Sequence, residues 1–291
     1  MFDPKVSVIV ITRNEGAELA ATVENLRSTL PDARRELIVV DDGSTDGSAD
    51  FLEGVRDVLL FRSEGLGVAK ARNFGASQAT GDAVVFADAH VRAPENWYQP
   101  LLTALEDSEV GAVAPGIFSL TEPERKGFGL ELTGADLHAR WLHRRTDTPL
   151  EVPVLPGAFL AMRRETFVKT GGFDAGLRQL GGNDNELSCR LWLLGYQQLV
   201  VPQVEVGHLF RATTPYPSTW SAVVHNRLRM AFVHFESARV ERVLKALRAY
   251  EAFPAGLAMM LDTDVLSRRS AMARERRFDD EWFFKKFELT C

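Results

Sequence analysis

Apolar residues in the N-terminal third recur with two alternating periods. In KVSVIVIT, residues 5–12, β-branched side chains dominate, interrupted only by Ser7 after Val6, the pattern of a strand buried on both faces. In the next stretch Leu19, Val23, Leu26 and Leu30 recur every three or four positions, which predicts a helix and hence a βα unit. RELIVVDDGSTDGSADFLEGV repeats the arrangement: a strand ending at Asp41 and Asp42, a Gly/Ser/Thr turn, and a helix starting near Ser48. DVLLFRSE predicts a third, shorter strand, GVAKARNFGASQAT a helix stopped near Gly81, and DAVVFADAH a fourth strand. Strands alternating with helices imply an α/β fold, a doubly wound, mostly parallel sheet flanked by helices, with right-handed crossovers. Such sheets bind ligands beyond the carboxyl ends of their strands, where Thr12, Asp41, Asp42, Asp88 and His90 fall.

The pattern changes after about residue 115. EVGAVAPGIFSL suits another strand, but residues 119–150 mix Trp141 with many charges and read as an excursion able to cover a site. VPVLPGAFLAMRRETFVKTGGFD predicts a strand and a short helix ending at the Gly171–Gly172 turn. NDNELSCRLWLLG opens with capping residues and places Leu187, Leu191 and Leu194 on one face of an amphipathic helix stopped by Gly195. QQLVVPQVEVGHLF is a late strand with His208 at its exit. From about Trp220 the pattern is helical and arginine-rich, without Gly-rich linkers or internal repeats. The expected organisation is one domain over residues 1–218, divided near residue 115, with residues 219–291 as C-terminal helices packed on it.

Composition narrows the function classes. The chain has 291 residues, 45 % of them hydrophobic, enough for one large domain or two small ones. A net charge of -6 and a pI near 5.6 argue against holding nucleic acid or an anionic membrane through bulk charge. Two cysteines, Cys189 and Cys291, make no disulfide framework, so a reducing, cytoplasmic setting is expected. The start, MFDPKVSVIVITRNE, lacks the features of a signal peptide, and no apolar run approaches the length of a membrane span. The expectation is a soluble protein, at most peripheral to the inner membrane face.

The strand ends carry the candidate chemistry. On an extended segment Asp88 and His90 share a face, and carboxylate plus imidazole suits a borderline divalent ion such as Mn2+ (or Mg2+), with His208 arriving from another strand end. The pair alone fits equally a turn in which Asp88 caps a loop. Asp41 and Asp42 by themselves read more readily as a turn and N-cap pair; the functional reading makes one of them the acceptor for the imide N–H of a pyrimidine, with Thr12 and Glu15 enclosing base and ribose. Lys70 and Arg72 precede the metal strand and either contact the ligand or form a solvated helix face.

VSVIVITRNE, IVVDDGSTDGS, GVAKARNFGASQATGDAVVFADAH and GGNDNELSCRLWLLG resemble the successive motifs of family 2 glycosyltransferases, with the glycosyltransferase A fold. DAHVRAPENWYQPLL, VPVLPGAFLAMRRETFVKTGGFDAGLRQLGGNDNELSCRLW and VEVGHLFRATTPY are similar to the catalytic domain of polypeptide N-acetylgalactosaminyltransferases, over about residues 5–235. The resemblance implies that Asp88, His90 and His208 bind Mn2+, which neutralises the diphosphate of a nucleotide-sugar donor. It implies that Thr12 and Asp42 bind uridine and that Gly157 and Ala158 let the donor sugar approach the backbone. Arg211 and Tyr216 fall in the segment that in the relatives closes over the nucleotide. On this reading residues 1–115 form the nucleotide half and 116–218 the acceptor half.

One departure bears on mechanism. Where the polypeptide transferases carry Glu then Asn after the paired glycines, this chain has Asn183, Asp184 and then Glu186. Inverting family 2 enzymes commonly carry Glu then Asp there, the Asp deprotonating the acceptor hydroxyl, so Asp184 matches the inverting base. A carboxylate favoured by a helix N-terminus is the plainer reading of the same residue, and both can hold at once; the similarity along much of the chain favours the alternative, a retaining transferase like the polypeptide N-acetylgalactosaminyltransferases. Two rivals follow: a nucleotide-sugar-binding protein without catalysis, allowed by Asn183, and a nucleotidyltransferase, disfavoured because TRNEG replaces the Gly-rich phosphate loop. The acceptor, whether glycan, lipid-linked, small molecule or peptide, and any homo-oligomerisation stay open.

Overall fold

The computed structural model describes residues 4–290, so Cys291 lies outside the described residues. β1 (Val6–Thr12) leads into α1 (Ala17–Thr29), which buries Leu19, Val23 and Leu26; β2 (Arg35–Asp41), β3 (Val58–Arg62), α2 (Val68–Gln78) and β4 (Ala83–Asp88) follow. β1 pairs in parallel with both β2 and β4, and β2 with β3. The register sets Thr12 opposite Asp41 and Ile11 opposite Asp88, so the three carboxyl ends stop at one level. Polar residues that end these β-branched runs therefore face a common crevice.

Two local expectations fail here. Between β2 and β3 the chain forms only a 3-10 turn, Asp50–Leu52, instead of a helix from near Ser48. Gly47 and Gly54, both at positive φ, bracket six residues, fewer than a stable helix needs. The strand also ends at Asp88: Ala89 and His90 form a turn before β5 (Val91–Arg92), so the pair does not project from one extended face.

α3 (Tyr98–Ala104) leads to β6 (Val110–Ser119), then β7 (Lys126–Gly127), β8 (Leu130–Thr133), β9 (His138–Trp141), β10 (Leu150–Glu151), β11 (Phe159–Arg163), α4 (Arg164–Lys169), α5 (Asn183–Leu193) and β12 (Gln197–His208). The main sheet runs β10-β12-β6-β11-β4-β1-β2-β3, with β5 on β12 and β7 on β6. β12 and β6 are parallel, whereas β11 is antiparallel to both β4 and β6. Because β11 runs backwards, its start lies beside the end of β4, where Asp88 N donates to the Ala158 carbonyl at 3.0 Å. That brings Gly157 and Ala158 to the crevice.

Residues 119–150 do not cover it. β8 and β9 form a separate hairpin, and Leu132 and Leu137 are drawn into the core beneath the C-terminal helices. Those helices are α6 (Trp220–His234), α7 (Ser237–Leu247), α8 (Phe253–Leu261), α9 (Val265–Glu275) and α10 (Asp280–Lys286). None of the described helices is long and apolar enough to cross a membrane.

α5 departs from a one-faced helix. Leu187 and Leu191 join the core against the sheet, while Cys189, Trp192, Leu193 and Leu194 join that of the C-terminal helices. Nor does a side chain cap it: the preceding residue, Gly182, sits at φ 77, in the left-handed region that glycine enters without steric cost. Wedged between two cores, α5 satisfies its own charges. Arg190 Nε donates to Glu186 Oε1 at 2.8 Å, His234 Nε2 lies 2.9 Å from the same oxygen, and Arg190 also donates to the Thr170 and Gly172 carbonyls. A buried ion pair is tolerated when its remaining donors are met in this way.

Glu36, at the base of β2, ties three elements together. It accepts from Thr80 N at 2.8 Å, Thr80 Oγ1 at 2.6 Å, Lys5 Nζ at 3.3 Å and Ser7 Oγ. Burial opposes its ionisation, but these donors outweigh burial and lower its pKa from 4.5 to about 2. A depressed carboxyl pKa stabilises the fold above the unfolded value, and that stabilisation is lost as pH falls through the folded one. Glu36→Gln is therefore expected to cost on the order of 1–3 kcal/mol at pH 7, with the gap to the native protein closing between about pH 4.5 and 2. Urea midpoints across that range measure it; a gap that persists unchanged at the acid end would remove Glu36 as the cause.

Candidate functional site

A cavity of about 740 Å³ opens at the carboxyl ends of β1, β2, β4 and β12 and at the start of α5. On its floor Asp88, His90 and His208 each offer one ligand atom, all within 4.8 Å of one another. The turn after β4 brings His90 back beside Asp88. Pairing of β12 with β5 sets His208 opposite Val91, so that the two imidazole centroids lie 4.7 Å apart. His208 Nε2 is 3.4 Å from Asp88 Oδ2. Burial pushes the Asp88 carboxyl pKa up, but the His208 hydrogen bond and the positive charge of Arg72 overcome this and hold it far below the usual carboxylate range. Asp88 is thus an anion without metal. One buried nitrogen, His208 Nδ1, has no partner. One carboxylate oxygen and two imidazole nitrogens are a donor set that fits a borderline divalent cation.

Glu15 backs this cluster. Its Oε2 lies 3.1 Å from His90 Nδ1 and accepts from Arg211 Nη1 at 2.6 Å. Burial works against protonation of His90, but the Glu15 hydrogen bond and the Asp88 charge raise its pKa. A carboxylate behind an imidazole fixes ring orientation and raises ligand basicity in metal sites.

The two adjacent aspartates of β2 separate. Asp41 turns away, accepting from Ser44 N at 2.9 Å and Arg62 Nη1 at 2.8 Å, which is the turn role, and it does not line the cavity. Asp42 lines the cavity and shapes its rim, accepting from Leu66 N at 2.5 Å, Ser63 Oγ at 2.7 Å and Gly67 N at 2.9 Å. Beside it Thr12 lines the cavity, its hydroxyl buried without a hydrogen-bond partner.

Arg72 links the cluster to the opposite wall. From the buried face of α2 it donates to the Gly157 carbonyl at 2.8 Å, to Asp88 Oδ1 at 3.0 Å and to Asp184 Oδ1 at 3.3 Å. Lys70, two residues earlier on α2 and exposed, also lines the cavity, as does Ala158. Asp184 sits so close to residue 157 that a methyl group there would overlap its carboxylate; only glycine leaves the space. Burial raises the Asp184 pKa and the Asp88 charge adds to this, with Arg72 opposing. A carboxyl held in that way suits proton acceptance nearer neutral pH.

Residues 209–217 cross the mouth, where Arg211 and Tyr216 line the cavity and Asn14 Nδ2 donates to the Pro215 carbonyl at 3.3 Å. Burial, then the charges of Asp88 and Glu15, push the Tyr216 phenol up to about 12, so it remains a neutral donor. This segment, and none of residues 119–150, contributes to the cavity lining.

Sequence reasoning overlooked the wall formed by residues 177–182. Asn226 on α6 holds it, accepting from Arg178 N at 2.8 Å and donating to the carbonyls of Arg178 at 2.8 Å and Gly181 at 2.6 Å. Gly181 and Gly182 were its visible signal; a single Asn in a distant helix gave none.

The family model described as glycosyl transferase family 2 matches residues 7–171, and that described as the N-terminal domain of galactosyltransferase matches residues 136–214. The chain is 32 % identical to polypeptide N-acetylgalactosaminyltransferase 11 of Xenopus tropicalis, over 79 % of this chain and 42 % of that protein. It is also 32 % identical to polypeptide N-acetylgalactosaminyltransferase 15 of Homo sapiens, over 78 % and 39 %. It thus spans about two fifths of the length of these curated relatives. Among solved structures, GalNAc-T7 with UDP, GalNAc and Mn2+ superposes with a TM-score of 0.83 at 23 % identity, covering 98 % of this chain and 57 % of that one. The mannosyltransferase PcManGT of Pyrobaculum calidifontis, with GDP-Man and Mn2+, gives 0.57 at 21 % identity over 94 % and 85 %. These likenesses establish a common fold. With its strand-end motifs in order along that fold and more than half its length matched, the chain belongs to glycosyl transferase family 2.

Proposed function

We propose that the protein is a metal-dependent glycosyltransferase that moves a sugar from a UDP-sugar to an acceptor hydroxyl, inverting at the anomeric carbon with Asp184 as base. The observation that carries this is the juxtaposition, through Arg72, of the three-ligand cluster with a partly exposed carboxylate that lines the same cavity and whose pKa is raised. Asp88, His90 and His208 would hold Mn2+, which when bound supplies positive charge to the departing diphosphate. Glu15 keeps the His90 ring oriented and retains Arg211 at the mouth. Thr12 and Asp42 receive the base, Gly157 and Ala158 give the sugar close access to the backbone, and Tyr216 covers the site as a donor. Asp184 takes the proton of the acceptor hydroxyl as it attacks. In support, the curated relatives are named as N-acetylgalactosaminyltransferases, and the GalNAc-T7 structure contains UDP and Mn2+. Residues 1–218 form the catalytic unit on this reading, with the C-terminal helices as its extension.

The deciding experiment incubates the protein with a panel of UDP- and GDP-sugars, Mn2+ and candidate acceptors, then reads donor consumption and the anomeric proton coupling of the product by NMR. An α-linked donor giving a β-linked product supports the assignment; an α-linked product overturns inversion, and metal-independent or absent turnover with every donor overturns catalysis.

Asp42 separates base recognition from loop shaping. Asp42→Ala is expected to weaken UDP binding by about 10–100-fold, the range for a hydrogen bond to a charged group, with a smaller effect on saturated turnover because the contact is equal in ground and transition states. Competition titrations with UDP and GDP decide it. Equal losses for both nucleotides would leave Asp42 as the anchor of residues 63–67 alone.

A further inference from the structure

A helix that only covers a core buries an apolar face. α6 also buries four polar side chains, His225, Asn226, Arg229 and His234, none more than 1 % exposed. Burying such groups is unfavourable unless each finds a partner, and all four find theirs in residues 174–186. Arg229 donates to both oxygens of Asp174, at 2.7 and 2.8 Å, and His225 Nε2 donates to the Gly176 carbonyl at 2.9 Å. Asn226 ties Arg178 to Gly181, and His234 meets Glu186. Residues 177–184 all line the donor cavity, Asp184 among them, whereas Asn226 does not.

The Asp184 side chain is only loosely held by its own contacts. Arg72 Nη1 is 3.3 Å from Oδ1, longer than the roughly 2.7–2.9 Å of a firm charge-assisted hydrogen bond. Its place is therefore set by the backbone that carries it. Behind it α5 is fixed at the fully buried Glu186; in front of it the chain is fixed at Gly181 by one amide group, Asn226 Nδ2. Gly181 and Gly182, both at positive φ, give the turn little stiffness of its own once that amide is removed. We propose that Asn226 is a positioning residue for the transfer step: from outside the cavity it sets where Asp184 stands against the acceptor hydroxyl, which makes α6 part of the working site. The inference rests on the reading of Asp184 as the base and names what places it. A base displaced by about 1 Å loses on the order of 10²-fold in rate, while Asp88, His90 and His208 sit on other elements and keep their geometry.

The test uses the full chain, Mn2+ and UDP-N-acetylgalactosamine, UDP-galactose, UDP-glucose or UDP-N-acetylglucosamine, whichever the native protein turns over, and reads UDP release at saturating donor. Asn226→Leu, of similar size but without donor or acceptor, is expected to lower the rate by about 10–100-fold while Mn2+-dependent UDP binding stays within about twofold. Asn226→Ser, which keeps one hydroxyl for the turn, should fall between. Glu36→Gln, at the opposite end of β2 from the cavity, controls for lost stability; its rate per folded molecule should match the native one. The double variant Asp184→Asn/Asn226→Leu separates positioning from general weakening. If Asn226 acts through Asp184, the double variant should be no more than about twofold slower than Asp184→Asn, whereas independent effects multiply. Multiplying effects, a native rate in Asn226→Leu, or UDP binding lost in step with turnover in both Asn226 variants overturns the proposal. If Asp184→Asn is slow and Asn226→Leu is not, only this inference falls; if Asp184→Asn turns over normally, or the native protein consumes no donor, the underlying reading falls with it.

Discussion

Asp184→Asn is expected to reduce glycosyl transfer by on the order of 10²-fold or more while Mn2+-dependent UDP binding stays within about twofold. The substitution keeps the shape that the space beside Gly157 admits, and it preserves an oxygen to accept from Arg72, now 3.3 Å from Oδ1. What it removes is proton acceptance. In an inverting displacement the acceptor oxygen attacks the face opposite the leaving diphosphate, so its proton must go to a protein group at that face. The raised pKa of Asp184, caused first by burial and then by the Asp88 charge, makes it a better base than an exposed carboxylate. A retaining mechanism makes the contrary forecast, because the polypeptide transferases that the chain resembles carry Asn at the matched position; the variant should then remain active. Rates at saturating donor, with the product's anomeric configuration, separate the two. Unchanged turnover would reduce Asp184 to a carboxylate at the α5 N-terminus.

The strand-end logic was legible because a parallel sheet converts sequence into geometry without further information. Each buried β-branched run must end, and the residues that end neighbouring runs share one rim; Thr12, Asp42 and Asp88 follow from that alone. The residue pattern alone did not separate Asp42 from Asp41, and only the resemblance chose Asp42, since the difference depends on which of two adjacent side chains meets residues 63–67. His90 was found for an incomplete reason. A two-residue period placed it beside Asp88, whereas a turn does so in the fold, and one short motif fits both conformations. The missing helix near Ser48 shows that a composition able to cap a helix needs enough residues after it to form one. Residues 119–150 were misread as a cover because charge and irregularity mark exposure, not position; Leu132 and Leu137 decided where that segment packs. Asn226 could not be foreseen, since it acts on residues 45 and 48 positions away through its side chain alone.

His208→Ala should weaken Mn2+ affinity by at least about 100-fold, because substitutions one shell further out already cost about 10–100-fold. The fold is expected to survive: His208 ends β12, and its pairing with Val91 on β5 is made by the backbone. The loss should appear jointly in UDP binding at limiting Mn2+ and in turnover, and excess Mn2+ should restore part of both, since Asp88 and His90 remain. Glu15→Gln provides the graded comparison. It leaves the three ligand atoms in place but removes the charge behind His90 Nδ1 and the partner of Arg211, 2.6 Å away. Its effect on Mn2+ affinity should therefore be smaller than that of His208→Ala. Isothermal titration of UDP at several Mn2+ concentrations reads both variants on one scale. If His208→Ala turns over normally at limiting Mn2+, the ion is not held by these three residues; if Glu15→Gln is the more damaging of the two, the carboxylate acts on the ion or the nucleotide directly and not through His90.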